Sequence, residues 1–273
     1  MQKQTVQINS HTITFYESTG TGRAALLVHG NSSSGLSFRH QLESPLGKKH
    51  RLVAIDLPGH GQSQPAIEPQ SLYTLPGYAS IVIGLAEQLG LNDAVFVGWS
   101  LGGHIVLEAS AQLPKAAGFM IFGTPPLAFP PAMAEAFLPH PAMAASFKAE
   151  LTATEMDAYA TAFFKPNTPY IPETFKADLR RTDGQARSGL ASSIRPNGYR
   201  DEIEVAAHLT VPLAVLHGEQ EQLVNAAYIR ALTMPTLWRN EVQTIPDAGH
   251  APHWEQPGQF NTLLEAFIQE CAR

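Results

Sequence analysis

Short apolar runs rich in Val, Ile and Leu alternate along the chain with longer stretches of helical spacing. This alternation is typical of a mostly parallel sheet with helices on its faces. The runs predict eight strands, at residues 5–8, 12–17, 25–28, 52–55, 95–97, 119–122, 213–216 and 242–245. In such sheets ligand sites lie beyond the carboxyl ends of the strands, so the residues after each strand are the first candidates for chemistry.

The pattern changes between residues 124 and 207. Prolines are dense at the start of this segment, and helices are predicted at 142–151 and 155–164, with no convincing strand. A strand-free insertion of about 80 residues between two core strands predicts a helical cap placed after the sixth strand. We therefore expect a core domain of residues 1–123 and 208–273, and a cap domain of residues 124–207.

Composition narrows the function classes. The chain has 273 residues, 44% of them apolar, and a net charge of -6 without a basic cluster, which disfavours nucleic-acid binding. No apolar run approaches the ~20 residues of a membrane span. The single cysteine allows no internal disulfide, and the N-terminus lacks the apolar stretch of a signal peptide. We expect a cytoplasmic monomer or homodimer that uses a small-molecule substrate and neither nucleic acid nor membrane.

The strongest chemical signal is the stretch Gly-Trp-Ser-Leu-Gly at residues 98–102. It directly follows a predicted strand and precedes a helical run at 104–111, which is the context of a nucleophile elbow. Such a turn strains the serine backbone and holds its hydroxyl above the sheet, and it leaves no room for side chains at 98 and 102. The pattern predicts Ser100 as a nucleophile.

A serine hydroxyl reacts only when a base takes its proton. His250 stands in the loop after the last predicted strand, from which a side chain can reach the elbow, and we expect it to be that base. His253, three residues later, is assigned a structural role. The other histidines are scattered without metal-ligand spacing, and there is no phosphate-binding glycine loop, so neither metal nor cofactor is expected.

The base needs a carboxylate to orient it, and two glutamates compete after the seventh strand. Glu221 lies deeper in that loop than Glu219, and we favour Glu221. Asp247 is interpreted as a turn residue and Asp56 as a structural one. An oxyanion needs preorganised N–H donors, which we assign to the backbone of Leu101, at a helix start, and of Asn31, in the loop after the third strand. The Asn31 amide could also contact substrate.

Together these residues resemble the α/β-hydrolase superfamily along the whole chain. The resemblance implies an α/β-hydrolase fold: a mostly parallel eight-stranded sheet flanked by helices, with the second strand antiparallel and a cap over the site. Glu221 departs from the aspartate that most members have at this position.

A narrower resemblance rests on four stretches, at 30–35, 98–105, 123–126 and 181–184. They are similar to the metal-free lactonases of N-acyl-homoserine lactones (AidH-type), whose triad acid is also a glutamate. This resemblance implies quorum-quenching ring opening through a Ser-His-Glu triad and an acyl-enzyme, and it suggests that Tyr159 contacts substrate. Of the cap's Phe and Met side chains, most are expected to pack in the cap and some to line an acyl channel. We also expect the cap to seal the site only partly.

Two rival functions remain. A general carboxylesterase acting on open-chain or other lactone esters would share every catalytic residue. A ligand-binding protein on a hydrolase scaffold is disfavoured by the intact triad. Halide and epoxide displacement in this fold use an aspartate where Ser100 stands, and the His-x-His-x-Asp-His cluster of metal-dependent lactonases is absent.

Overall fold

The computed structural model describes residues 1–271, and within them eight strands form one sheet in the order β1-β2-β4-β3-β5-β6-β7-β8. Strand β2 runs antiparallel to β1 and β4, and the other neighbours are parallel. The predicted α/β-hydrolase fold is confirmed. The strands are β1 Gln2–Ile8, β2 His11–Glu17, β3 Gly22–Val28, β4 His50–Ile55, β5 Val95–Trp99, β6 Gly118–Phe122, β7 Leu213–Gly218 and β8 Gln243–Ile245.

Helices cover both faces of the sheet. Those outside the segment 124–207 are α1 Arg39–Leu42, α2 Pro45–Lys49, α3 Pro69–Leu72, α4 Leu75–Leu89, α5 Leu101–Ala109, α11 Ala226–Ala231, α12 Pro252–Glu255 and α13 Pro257–Glu270. Helix α4 has clear end signals: the Thr74 hydroxyl accepts a hydrogen bond from the Gly77 N–H, and Gly90 ends the helix at φ 65°. Short 3₁₀ helices are Gly35–Phe38, Ser110–Gln112, Pro141–Phe147 and Trp238–Asn240.

The segment 124–207, which we call the cap, holds α6 Met133–Ala136, α7 Ala153–Ala162, α8 Glu173–Arg181 and α9 Gly184–Ser193, and it ends within α10 Glu202–His208. Helix α7 begins at a capping box in which Thr152 and Glu155 bond each other's backbone N–H. Phe137 forms an isolated antiparallel bridge with Val224, which ties the cap to the loop after β7. The division into two domains stays a prediction.

The helix predicted at 142–151 is wrong in type and length. A 3₁₀ helix occupies Pro141–Phe147 and the backbone becomes extended at Lys148. The cause is tertiary: the carbonyls of Lys148 and Ala149 accept hydrogen bonds from the Arg187 guanidinium, at 2.9 and 2.8 Å. Because these bonds come from a distant helix, local spacing gave no sign of them.

The strand order places the site. Strand β3 lies between β4 and β5, so the crossover from β3 to β4 runs towards one edge of the sheet and the next, from β4 to β5, runs back past β3 towards the other edge. At such a reversal the loops after the two strands diverge and leave a crevice at the carboxyl edge. The loop 29–35 after β3 and Ser100 after β5 both border this crevice.

Candidate active site

Ser100 forms the turn between β5 and α5, with φ 52° and ψ −117°. This conformation is strained for a residue with a side chain, and the surroundings hold it there. The Ser100 N–H bonds to Phe122 O at 2.9 Å. A Cβ at Gly98 would lie 2.3 Å from Gly102 O, and one at Gly102 would lie 2.1 Å from Val28 O. The prediction that positions 98 and 102 tolerate no side chain is confirmed.

His250 lies in the loop after β8 and is buried. Its carbonyl accepts a hydrogen bond from the indole of Trp99 at 2.7 Å, which fixes this loop against the residue before Ser100. Gly123 leaves room for the ring, because a Cβ there would lie 2.7 Å from His250 Cε1. Ser100 and His250 line the same cavity. The structure thus brings the predicted nucleophile and base to one site.

The carboxylate at the imidazole is that of Glu221. His250 Nδ1 lies 2.7 Å from Glu221 Oε2, and Leu223 N–H donates to Oε1 at 2.7 Å. Burial raises the pKa of Glu221, but the charge and hydrogen bond of His250, together with the Leu223 hydrogen bond and the charge of His217, leave the pKa below its ordinary value. A charged Glu221 accepts a hydrogen bond from the Nδ1–H of His250, which leaves Nε2 as the nitrogen for proton transfer.

The competing carboxylates lie elsewhere. Glu219 is exposed and accepts a hydrogen bond from Asp247 N–H at 3.3 Å. Asp247 occupies a turn at φ 56° and pairs with Lys165. Asp56 is buried and accepts hydrogen bonds from the N–H groups of Gly35 and Gln62. Their positions agree with the turn and structural roles predicted for Asp247 and Asp56.

The two assigned oxyanion donors border the cavity: Asn31 lies in the loop after β3, and Leu101 begins α5. The side-chain amide of Asn31 is already engaged, because Nδ2 donates to Ser146 O in the cap at 2.9 Å and Oδ1 accepts from the Ser32 hydroxyl at 3.0 Å. The suggested contact between this amide and substrate would require Nδ2 to leave Ser146. The backbone N–H remains the group assigned to the oxyanion.

Tyr159 lies in α7, is buried, and borders the same cavity. Its hydroxyl accepts a hydrogen bond from the Ser146 hydroxyl at 2.9 Å. Burial raises the pKa of Tyr159 to about 12, so the phenol keeps its own hydrogen at neutral pH. That hydrogen can be donated to a ligand.

The cavity has a volume of about 130 Å³ and a largely apolar wall. The cap supplies more of this wall than the sequence suggested. Five of the cap's nine Phe and Met side chains line the cavity, whereas most were expected to pack within the cap; the five are Met133, Phe137, Met143, Phe147 and Phe163. Phe129 is 40% exposed instead. An apolar wall beside a serine nucleophile suits an acyl chain.

His253 packs as a core side chain. It is fully buried, and its ring centroid lies 4.8 Å from that of Trp99 and 4.9 Å from that of Phe38. Burial holds the pKa of His253 well below its ordinary range, so the ring stays neutral. Both features agree with the structural role predicted from the sequence.

Two features are absent from the residues that the structure describes. Across residues 1–271, no group of three or more His, Cys, Asp or Glu side chains is arranged to hold a metal ion. Over the same part of the chain, no helix combines the length and the apolar character that crossing a membrane requires.

Residues 25–263 match the family model described as "Alpha/beta hydrolase family". The chain belongs to this family. The curated relatives of this hydrolase include the pimeloyl-[acyl-carrier protein] methyl ester esterase of Xylella fastidiosa (strain 9a5c), which is 28% identical over 265 residues. The match covers 93% of this chain and 98% of the esterase.

Solved structures of the N-acyl homoserine lactonase AidH are also similar to this hydrolase. A complex of an AidH mutant with N-hexanoyl homoserine lactone has TM-score 0.95 at 35% identity, covering 99% of this chain and 98% of that one. A complex with N-butanoyl homoserine gives the same TM-score and identity. A thermophilic esterase from Thermogutta terrifontis reaches 0.80 at 20% identity, with 99% of both chains covered, and shows the fold alone. The predicted resemblance to AidH is confirmed.

Beneath the loop 29–35 of this hydrolase lie two buried carboxyl groups that the sequence did not single out together. Asp178, in cap helix α8, accepts a hydrogen bond from the Ser34 hydroxyl at 2.6 Å. Burial raises the pKa of Asp178 to about 7; the Ser34 hydrogen bond opposes the rise and the charge of Asp56 adds to it. Burial likewise raises the pKa of Asp56 to about 6. The contact joins the cap to the loop that carries Asn31.

The raised pKa of Asp178 predicts a pH-dependent stability. In the unfolded chain such a carboxyl titrates near 3.8, so between about pH 4 and pH 7 the folded state binds the extra proton and its stability falls as pH rises. An amide keeps the acceptor for Ser34 without titrating. We expect Asp178→Asn to gain stability relative to wild type from about pH 5 to about pH 8, measured by urea unfolding.

The matched control is Asp93→Asn, at an exposed turn before β5. Its difference from wild type reports the effect of losing one exposed carboxyl group, and the gain of Asp178→Asn between about pH 5 and pH 8 should exceed it. Parallel pH curves for Asp178→Asn and wild type would contradict the assignment.

Sequence reasoning missed a second histidine–carboxylate pair in the cavity. The sequence analysis includes His104 only within the stretch 98–105 and assigns no role to Glu202. Both line the cavity, with His104 Nδ1 2.9 and 2.8 Å from the two carboxylate oxygens of Glu202. The residues are 98 positions apart, so no spacing rule could have joined them.

Proposed function

We propose that this hydrolase opens the lactone ring of N-acyl-homoserine lactones with Ser100, His250 and Glu221 as its triad. The observation that carries the proposal is the apolar cavity, walled by Phe and Met side chains of the cap, that both Ser100 and His250 border. An acyl chain fits such a wall, and its polar end would meet the hydroxyl of Tyr159. The similarity to AidH over 99% of the chain supports the same substrate class.

The proposed reaction begins at the elbow. Ser100 Oγ attacks the lactone carbonyl carbon while His250 Nε2 takes the hydroxyl proton, and Glu221 stabilises the imidazolium that forms. The N–H groups of Asn31 and Leu101 bind the oxyanion of the tetrahedral intermediate. On collapse the C–O bond of the ring breaks, and His250 returns the proton to the ring oxygen as it becomes an alcohol.

Hydrolysis of the acyl-enzyme, the second half of the reaction, must be faster than re-closure of the lactone ring, because the new alcohol stays tethered to the acyl-enzyme. Water attacks the ester at Ser100 while His250 again acts as base, and collapse restores the serine and releases the N-acyl-homoserine. The product is a carboxylate and no longer an ester that Ser100 can attack. We therefore propose that the cap seals the cavity only partly, since water must reach His250 before the alcohol re-closes the ring.

A second candidate is the hydrolysis of open-chain esters. It is favoured by the 28% identity to a methyl ester esterase over nearly the full length of both chains. The same triad and donors would perform it, because only the leaving group differs. The core would then carry out the chemistry, and the cap, at residues 124–207, would determine the substrate.

A matched substrate panel separates the two candidates. We expect kcat/KM for N-hexanoyl-homoserine lactone to exceed that for methyl hexanoate and 4-nitrophenyl hexanoate by at least about tenfold, which corresponds to ~1.4 kcal/mol of transition-state binding. Ring opening is followed by acid release in a pH-stat. Quenched reactions analysed by mass spectrometry should carry the acyl mass on Ser100. A preference for the open-chain esters would overturn the lactonase and support the second candidate.

A further inference from the structure

The wall of the cavity is interrupted by a polar pair that the triad does not use. His104 lies in α5, four residues after Ser100, and its Nδ1 is 2.9 and 2.8 Å from the two oxygens of Glu202. Glu202, at the start of α10, has a side chain only 1% exposed. Its Oε2 also accepts the N–H of Leu127 at 2.8 Å. His250 has its own carboxylate in Glu221, so the reaction itself does not require this second pair.

The pair fixes which edge of the His104 ring remains for a ligand. A carboxylate is an acceptor only, so the hydrogen between Nδ1 and Glu202 belongs to the imidazole. Nδ1 is committed, and Nε2 is the nitrogen left to act. The His104 side chain is 14% exposed and borders the cavity together with Leu127 and Glu202. Glu202 thus positions an imidazole whose second nitrogen can serve a molecule in the cavity.

The distance of His104 from the nucleophile selects the part of the substrate it can meet. Ser100 directly precedes α5 and His104 lies about one turn into it, so the two residues are about 6 Å apart along the helix axis at ~1.5 Å per residue. In an acyl-homoserine lactone, five bonds separate the carbonyl carbon attacked by Ser100 from the third carbon of the acyl chain. An extended chain advances roughly 3.4 Å per three bonds, which gives about 6 Å. The axial distance from Ser100 to His104 therefore matches the distance from the lactone carbonyl carbon to the third carbon of the acyl chain.

We propose that His104, held by Glu202, determines specificity by hydrogen bonding an oxygen substituent on the third carbon of the acyl chain. The inference rests on the proposed lactonase function. A hydroxyl at this carbon would donate to Nε2 of a neutral imidazole, and a keto oxygen would accept from Nε2–H of an imidazolium. Either oxygen forms a hydrogen bond with Nε2 of His104, which would face only methylene groups of an unsubstituted chain.

The test measures, for each variant, the ratio of kcat/KM for an oxygenated lactone to kcat/KM for the unsubstituted lactone. Three lactones of equal chain length are compared: N-octanoyl-, N-(3-hydroxyoctanoyl)- and N-(3-oxooctanoyl)-homoserine lactone. For wild type we expect kcat/KM to be about tenfold higher for at least one oxygenated lactone than for the unsubstituted one. His104→Phe keeps a ring and removes both nitrogens, and it should bring that ratio close to one. The favoured lactone, hydroxy or oxo, identifies the form of the imidazole that binds.

Glu202→Gln tests the positioning role and should lower the same ratio, chiefly through KM for the oxygenated lactone. The matched control is His208→Phe, the same change at an exposed histidine that pairs with Glu204 and does not line this cavity. Its ratio should equal that of wild type. A purely structural role for His104 would lower kcat/KM for all three lactones equally and leave the ratio unchanged.

Loss of His104 leaves the Glu202 charge buried without its partner, which can prevent folding. The double variant His104→Leu with Glu202→Leu removes both polar groups and supplies the same measurement. A wild-type ratio near one, or a ratio retained in His104→Phe or in the double variant, overturns the inference while lactone turnover remains. Absence of lactone turnover in wild type overturns the proposed function, and the inference with it.

Discussion

Ser100→Ala should abolish turnover of lactones and esters alike, with kcat falling by about 10⁴ to 10⁶. The substitution removes the hydroxyl that attacks the carbonyl and leaves water as the nucleophile, without the covalent intermediate. Alanine has the Cβ of serine, so the turn at φ 52° is no more strained than before. The variant should unfold at the wild-type temperature, measured by circular dichroism alongside the steady-state rate.

Ser110→Ala is the control for Ser100→Ala. Ser110 directly follows the same helix, α5, and its hydroxyl bonds only locally, to Leu107 O at 2.7 Å. Its kcat should stay within about twofold of wild type. Ser100→Ala retaining a rate near that of wild type would end the serine mechanism, and so would an acyl mass found on another residue.

Glu221→Gln should reduce kcat by about 10³ to 10⁴, as removal of the charge behind a catalytic imidazole does in other triads. The amide keeps the size of the side chain, but it no longer stabilises the imidazolium and can turn its NH₂ towards Nδ1. The hydrogen bond of 2.7 Å between Glu221 and His250 would then favour the wrong tautomer. The measurement is kcat across a pH range, with unfolding curves to confirm the fold.

Glu219→Gln gives the matched comparison, because Glu219 lies two residues away, is exposed, and contacts Asp247 rather than His250. We expect its rate to remain within about twofold of wild type. If Glu219→Gln were the damaging substitution and Glu221→Gln the mild one, the orienting acid would have to be reassigned.

The parts of this molecule that could be predicted are those determined by neighbouring residues. Buried parallel strands need continuous apolar residues, so strands β3 to β8 were located to within a few residues, and the antiparallel pair β1 and β2 was placed as closely. The elbow was recognisable because Gly98 and Gly102 leave no space for a Cβ. His250 could be placed because its loop follows the last strand, and Glu221 because the loop after β7 offers few carboxylates.

The parts that escaped prediction depend on contacts between distant residues. The end of the helical turn before Lys148 is set by Arg187, and the polarity inside the cavity is set by the meeting of His104 with Glu202. Neither partner carries a local signature, because Arg, His and Glu also occupy solvated helix faces. The share of Phe and Met lining the cavity depends likewise on how the cap lies over the core.

The cap and the loop 29–35 are joined directly beside the nucleophile, through Asn31 with Ser146 and through Ser34 with Asp178. Any displacement of the cap away from the core would break these hydrogen bonds, and it would release the loop that carries the backbone N–H assigned to the oxyanion. The position of the cap and the placement of that donor are therefore coupled through two hydrogen bonds.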